Sequence, residues 1–260
     1  MPTITIDDDA IHYVKEGQGP PVLLLHSLGA CAEMWRSTID ALRPRFTVIA
    51  PDARGHGLSA AAGEISVERY AKDAMAIAAA LGLARYGVLG LSMGGQAAMH
   101  VAADAPDRVA FLIAADTSLG AASNNPERLE APRRRIAEIG AQAFALEYTR
   151  SRLRPQASTA AVETFAAMVM RTLPELYVTQ LASILAQDLR PRVGAIRCPT
   201  LIVVGAQDVS TPPAAAEALC RAIPGARLEI IPDANHLSNI DQPDAFNRIV
   251  TAFAAEHARS

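Results

Sequence analysis

The sequence predicts an α/β fold in which a mostly parallel, eight-stranded sheet is flanked by helices and carries a helical insertion. Three observations lead to this fold class. Short apolar runs alternate with segments of helical spacing along most of the chain, which is typical of parallel strands buried on both faces between helices. The first residues instead read as an antiparallel hairpin, and one long stretch after residue 118 contains no convincing strand.

The N-terminal hairpin is predicted from two segments that alternate, or nearly so, between polar and apolar residues. These are Thr3–Ile6 and residues 11–15, with the three aspartates 7–9 as the turn between them. The Gly- and Pro-rich segment 17–21 ends the hairpin. Six nearly continuous apolar runs are predicted as the parallel strands, at residues 22–25, 46–50, 86–91, 110–115, 200–204 and 227–231.

Helical patterns lie between these runs, at residues 31–42, 66–81, 95–105, 213–223 and 242–257. Residues 119–192 break the rhythm, because they contain several amphipathic helical patterns divided by Asn, Gly and Pro residues. A structureless loop of that length is uncommon in a compact domain. We therefore predict a core from residues 1–118 and 193–260, with 119–192 as a helical lid near the carboxyl end of the sheet.

Composition and charge exclude several function classes. The chain has 260 residues, of which half are hydrophobic and a fifth charged, and its formal net charge is −3. This balance gives no general attraction to nucleic acid or to an anionic membrane. Cys31, Cys198 and Cys220 are far apart and show no metal-ligand spacing. Because the sequence has neither a signal-peptide pattern nor an apolar run of transmembrane length, we expect a cytoplasmic protein without metal or cofactor.

A serine between a predicted strand and a predicted helix is the most informative motif. Gly90-Leu91-Ser92-Met93-Gly94 follows an apolar run and precedes a segment of small residues, which is the sequence form of a nucleophile elbow. At so tight a turn, side chains two residues before or after the serine would collide, and Gly90 and Gly94 avoid this. The alternative interpretation is an ordinary Gly-rich turn between strand and helix.

A serine hydroxyl needs a base to become a nucleophile, and the base needs an acid to orient it. His236 follows the last predicted strand, while the other histidines are predicted in the hairpin, in the helices or in structural loops (His12, His26, His56, His100 and His257). Asp208 follows the preceding strand and gives the chain order Ser92, Asp208, His236. Asp116, at the end of another strand, is the alternative acid.

Two backbone N–H groups are predicted to form an oxyanion hole. One belongs to Met93, at the start of the helix after the serine. The other belongs to Leu28 in the loop after the first parallel strand, where Gly29 lets the chain turn back. The neighbouring Ser27 is either a substrate contact or a turn residue.

These residues resemble the α/β-hydrolase fold superfamily over essentially the whole chain. The matching blocks are residues 26–29 with Trp35, 52–59, 90–95, 205–208 and 235–236. Within the superfamily the sequence is most similar to 3-oxoadipate enol-lactonases, through the Ser-Leu-Gly loop, the elbow, the Thr-Pro-Pro after Asp208 and residues 236–243. This resemblance implies a cofactor-independent serine hydrolase that opens a small carboxylated enol-lactone in the degradation of aromatic compounds.

The resemblance is weakest where the substrate would be recognised, because the lid begins without the tryptophan that such enol-lactonases tend to have. Ser27, Trp35, Arg54 and Arg128 are the candidate substrate contacts, and the arginine run 133–135 is a further possibility. Three other functions stay open on this scaffold: hydrolysis of a carbon–carbon bond, perhydrolysis without a cofactor, and ligand binding by a receptor.

Overall fold

A computed structural model describes residues 2–120, 125–172 and 174–258 of the chain. Within these residues, eight strands form one sheet in the order β1-β2-β4-β3-β5-β6-β7-β8. The strands are β1 (Thr3–Ile6), β2 (Asp9–Glu16), β3 (Pro21–Leu25), β4 (Thr47–Pro51), β5 (Tyr86–Leu91), β6 (Val109–Ala115), β7 (Thr200–Gly205) and β8 (Arg227–Ile231). β1 pairs antiparallel with β2 and β2 with β4, while all other pairs are parallel. The predicted fold class is confirmed.

Eleven α-helices lie in the described part of the chain. They are α1 (Arg36–Leu42), α2 (Val67–Ala80), α3 (Met93–Asp104), α4 (Pro126–Ile139), α5 (Ala141–Arg152), α6 (Thr159–Arg171), α7 (Pro174–Ala186), α8 (Arg190–Val193), α9 (Pro213–Ala222), α10 (Ser238–Asp241) and α11 (Pro243–His257). None of these helices is both long and apolar enough to cross a membrane. The predicted helix 31–42 begins as a 3₁₀ turn at Ala32–Trp35, and the short α10 lies outside the predicted helices.

The strands are apolar throughout because each supplies side chains to two cores. In β3, Leu23 and Leu25 pack with α2 and α3 on one face of the sheet. Val22 and Leu24 point to the opposite face, where α1 and α11 pack. This alternation is the two-residue period of a strand buried on both sides, and it explains why the sequence shows unbroken apolar runs rather than alternation.

The segment between β6 and β7 is helical wherever the structure describes it, from α4 to α8. Its entry and exit are joined, because the N–H of Leu189 donates to the carbonyl of Leu119 at 2.8 Å. Gly120 is in the left-handed region at φ +92°, and a side chain there would collide with Gln187. This junction supports the lid boundary near residue 119, whereas α8 continues through the predicted boundary at 192. The domain limits stay a prediction.

Arg54 is part of the core and lies outside the active-site cavity described below. Its guanidinium is 4% exposed and ion-paired with Asp9 and with Asp73, the latter at 2.7 Å. It also donates to the carbonyl of Ile6 at 3.1 Å. Because all three partners belong to the hairpin or to α2, the side chain ties the hairpin to the helix. We therefore remove Arg54 from the candidate substrate contacts.

Trp35 is likewise a core residue. Its side chain is fully buried and its ring centroid lies 6.2 Å from that of Phe246 in α11. The sequence places Trp35 close to the oxyanion loop, but its 3₁₀ turn faces the sheet. Trp35 does not line the cavity at Ser92, so the structure does not place it as a substrate contact.

Replacing Arg54 by methionine should destabilise the fold strongly. The change leaves the buried Asp9 without its cation and leaves Asp73 with Arg69 as its remaining cation, which costs about 3–5 kcal/mol of unfolding free energy. The control is Arg36→Met, since Arg36 is 49% exposed in its pairs with Glu16 and Asp40 and such pairs contribute less than about 1 kcal/mol. Urea denaturation of both variants measures the difference, and equal losses would contradict the structural role of Arg54.

Candidate active site

Ser92 occupies a strained turn between β5 and α3. Its backbone lies at φ 55° and ψ −113°, a region that residues with a side chain rarely adopt and that costs about 1–3 kcal/mol. A side chain at Gly90 would collide with the carbonyl of Gly94, and one at Gly94 with the carbonyl of Leu25. The geometry therefore agrees with the predicted reason for both glycines.

The predicted base and acid lie beside this serine in a continuous chain of hydrogen bonds. His236 Nε2 is 2.9 Å from Ser92 Oγ, and His236 Nδ1 is 2.9 Å from Asp208 Oδ2. A carboxylate only accepts, so Nδ1 carries the proton and Nε2 is free to accept from the serine hydroxyl. His236 is 6% exposed and Asp208 3% exposed, which shields both hydrogen bonds from bulk water.

Asp208 is held ionised by its donors. Its Oδ1 accepts from the N–H groups of Ser210 at 2.7 Å and Thr211 at 2.9 Å, and its Oδ2 accepts from Thr211 Oγ1 at 2.8 Å. Burial by itself would raise the pKa of Asp208, but the hydrogen bond and charge of His236, together with Thr211, outweigh it and lower the pKa below its usual value. The carboxylate is thus suited to stabilise a positive charge on His236.

Asp116, the alternative acid, has different partners. Its carboxyl accepts from Gly205 N at 2.9 Å, from Ser238 N at 3.0 Å and from Ser238 Oγ at 2.6 Å. Burial, and then the charge of Asp208, raise the pKa of Asp116 well above its usual value. It joins the two segments that carry Asp208 and His236, and is therefore a positioning residue for both.

The end of α5 also holds the loop of His236. Asn235 Nδ2 donates to the carbonyls of Ser151 at 3.3 Å and Leu153 at 3.1 Å. Leu237 N donates to the carbonyl of Arg152 at 3.3 Å. The helical segment therefore contacts the proposed base loop on both sides of the histidine.

The loop after β3 places Leu28 opposite Ser92. In the described ranges, neither the Leu28 N–H nor the Met93 N–H donates to another protein group, so both are available to an oxyanion. His26 shapes this loop by donating from Nδ1 to the carbonyl of Ser27 and accepting at Nε2 from Ala53 N, both at 2.8 Å. Complete burial lowers the pKa of His26, which favours the neutral ring that these two bonds require.

Ser92 and His236 open into a cavity of about 380 Å³. Its apolar lining comes mainly from the loop after β3 and from α5 and α7, at Leu28, Tyr148, Tyr177, Leu181, Ile184 and Leu185. Polar side chains also reach it, and these include Gln96, Arg128 and Arg152. Ser27 is buried and does not line the cavity, which favours its interpretation as a turn residue.

The lid arginines fall into two groups. One group is the run 133–135, whose three side chains form exposed ion pairs with glutamates of α4 and α5. None of these three arginines lines the cavity. Arg128 does line it, and so does Arg152, which the sequence did not indicate. Nothing in the local sequence distinguishes Arg152, because the contacts between the end of α5 and the His236 loop place it there.

Within the described residues, no group of three His, Cys, Asp or Glu side chains is arranged to hold a metal ion. At the site, one hydrogen bond joins Asp208 to His236 and a second joins His236 to Ser92. These hydrogen bonds have the geometry that catalysis by a serine nucleophile, a base and an acid requires.

Comparison with known proteins agrees with the geometry. The sequence matches the α/β hydrolase fold family over residues 20–243. The chain belongs to this family. The α/β hydrolase is 31% identical to 3-oxoadipate enol-lactonase 2 of Acinetobacter baylyi, over 96% of this chain and 95% of that protein. It is 28% identical to the putative carbamate hydrolase RutD of Azorhizobium caulinodans, over 98% and 99% of the two chains.

A solved structure shows the same architecture. The enol-lactonase from Burkholderia xenovorans LB400 superposes with a TM-score of 0.89 at 29% identity, covering 98% of this hydrolase and all of that chain. The predicted resemblance to enol-lactonases is therefore confirmed, and the named activities of the relatives support hydrolysis as the class of reaction.

Substitutions of Asp208 and of Asp116 should lower kcat to very different extents. Asp208→Asn should lower kcat about 10⁴-fold, because the amide stabilises the wrong imidazole tautomer. Asp116→Asn should cost far less, since the Asp116 carboxyl contacts Gly205 and Ser238 rather than His236 or Ser92. Steady-state kinetics at pH 7 with circular dichroism as the folding control measures both. A larger loss in the Asp116 variant would reverse the assignment.

Proposed function

We propose that this α/β hydrolase is a cofactor-independent serine hydrolase that cleaves a small ester or lactone through an acyl-enzyme. The observation that carries the proposal is the hydrogen-bond chain from Asp208 through His236 to Ser92, at a cavity large enough for a small substrate. The hydroxyl is aligned with a neutral imidazole nitrogen whose other nitrogen is fixed by a carboxylate, and this is what nucleophilic attack on a carbonyl requires.

The reaction follows from these groups in two steps. His236 Nε2 takes the proton of Ser92 while Oγ bonds to the substrate carbonyl carbon, and the N–H groups of Leu28 and Met93 bind the oxyanion. His236 then gives the proton to the leaving alkoxide or enolate oxygen as its bond to carbon breaks. In a lactone this oxygen stays attached to the acyl group. A water deprotonated by His236 releases the acid and restores Ser92.

The helices that follow β6 act as a lid in this proposal. Their side chains supply most of the apolar lining, so substrate binding would displace water from the site. The hydrogen bonds of Asn235 and Leu237 to α5 keep the lid and the proposed base in fixed relation.

The substrate class is a lactone or ester that carries a carboxylate. Arg152 lines the cavity, its guanidinium lies over the Tyr148 ring at 4.9 Å, and it donates to Ser210 Oγ. Among the described residues Arg152 has no carboxylate partner, and neither does Arg128 at the same cavity. Two cations without protein counterions favour an anionic ligand. With the enol-lactonase relatives, this supports 3-oxoadipate enol-lactone as the substrate, in aromatic degradation in the cytoplasm.

Replacing Ser92 by alanine should abolish hydrolysis of both activated esters and enol-lactones. Loss of the nucleophile in a serine triad costs about 10⁶-fold in kcat. Ser27→Ala is the matched control, because Ser27 Oγ is buried without a hydrogen-bond partner in the described structure and lies outside the cavity. Release of acid is followed at constant pH. Undiminished turnover by the Ser92 variant would contradict the mechanism.

Replacing Arg152 by methionine should change substrate preference. The test pair is 3-oxoadipate enol-lactone and α-angelica lactone, which has the same ring and a methyl group in place of the carboxymethyl group. We expect the ratio of their kcat/KM values to fall about 10- to 100-fold, as for loss of a hydrogen bond to a charged group. Arg150→Met, on the exposed side of α5, should leave the ratio unchanged. Equal losses on both lactones would contradict carboxylate binding by Arg152.

A further inference from the structure

Gln96 is a buried polar residue at the cavity that the mechanism does not use. It lies four residues after Ser92 in α3, and its side chain lines the cavity. Its backbone N–H donates to the carbonyl of Ser92 at 3.0 Å, so the two residues lie one helical turn apart. Because Ser92 and Gln96 line the same cavity, a substrate bound at Ser92 can reach the amide of Gln96.

The amide of Gln96 is not satisfied by the protein. The residue is 4% exposed, and its Oε1 is buried with no hydrogen-bond partner among the residues that the structure describes. A buried amide without a partner is destabilising relative to an apolar side chain of the same shape.

Gln187 shows what the same side chain does when its role is structural. Its Oε1 is 2.8 Å from His100 Nε2, and its Nε2 donates to Glu68 at 2.8 Å and to the carbonyl of Ser183 at 3.2 Å. Gln187 thus joins α7 to α2 and α3. Gln96 makes no such link, and the difference between the two amides is that Gln96 faces the cavity.

We propose that Gln96 is a specificity-determining residue that hydrogen-bonds an uncharged oxygen of the substrate other than the reacting carbonyl oxygen, either the ring oxygen of a lactone or a keto or hydroxyl oxygen a few bonds away. The inference rests on the proposed ester or lactone hydrolysis at Ser92. An amide both donates and accepts, so it matches an uncharged group, whereas Arg152 matches a carboxylate. The reacting carbonyl itself is bound by the N–H groups of Leu28 and Met93.

The experiment compares esters that differ in one polar group. On the acyl side the pair is 4-nitrophenyl 4-oxopentanoate and 4-nitrophenyl pentanoate. On the alcohol side it is 3-oxobutyl acetate and butyl acetate. For the wild-type protein and for Gln96→Met, kcat and KM are measured for all four esters. Gln180→Met is the matched control, because Gln180 is also buried with an unpartnered amide nitrogen in the described structure but lies outside the cavity.

The proposal expects the wild-type protein to prefer the keto ester in at least one pair. Gln96→Met should lower that preference about tenfold or more, mainly through KM, with a melting temperature equal to or above that of the wild type. Gln180→Met should leave the preference unchanged. Turnover of both esters of each pair with equal efficiency would overturn the role of Gln96 and leave the proposed hydrolysis intact. Turnover of 3-oxoadipate enol-lactone but of none of the four esters would also overturn the role of Gln96, whereas turnover of neither the enol-lactone nor any ester would contradict both proposals.

Discussion

The constraint on which the site depends is the left-handed backbone of Ser92. A residue with a side chain at φ 55° is held there by its surroundings: Ser92 N donates to the carbonyl of Ala115 in the neighbouring strand at 2.9 Å. Thr117 Oγ1 donates to the carbonyl of Ser92 at 2.8 Å. Because β5 lies inside the sheet, between β3 and β6, the turn is fixed on both sides. The turn places the Ser92 hydroxyl 2.9 Å from His236 Nε2, and α3 begins at the next residue, Met93.

The rest of the site is arranged around that point by buried hydrogen bonds. Asp116 follows β6. Its carboxyl accepts from Gly205 at the end of β7 and from Ser238, two residues after His236. One carboxyl therefore links the segments that follow β6, β7 and β8. Asp241 accepts from Asn235 N at 2.8 Å and from Arg154 N at 3.0 Å, which joins the His236 loop to the lid. Loops are normally the mobile part of an α/β domain, and here these bonds fix the two loops that carry the proposed acid and base.

The sequence was sufficient for the elements whose cause is local. Six apolar runs and the alternating pattern of the hairpin predicted all eight strands. The Gly-x-Ser-x-Gly turn, with the chain order of Asp208 and His236, predicted which side chains would meet. The sequence was not sufficient for residues whose position depends on tertiary contacts. Arg54 looked available in a polar loop, but Asp9 and Asp73, from distant segments, enclose it. Arg152 and Gln96 carry no sequence signature, because only the packing of α5 and α7 beside the start of α3 brings both side chains to one cavity.

The central claim is that the elbow makes Ser92 the nucleophile. A fluorophosphonate, which phosphonylates activated serines, tests it most directly when the labelled protein is digested and the peptides are analysed by mass spectrometry. The account predicts one phosphonyl group per chain, on the peptide that contains Ser92, and a labelling rate that falls sharply in His236→Gln. Label on another residue, or labelling of Ser92 at an undiminished rate in that variant, would contradict it.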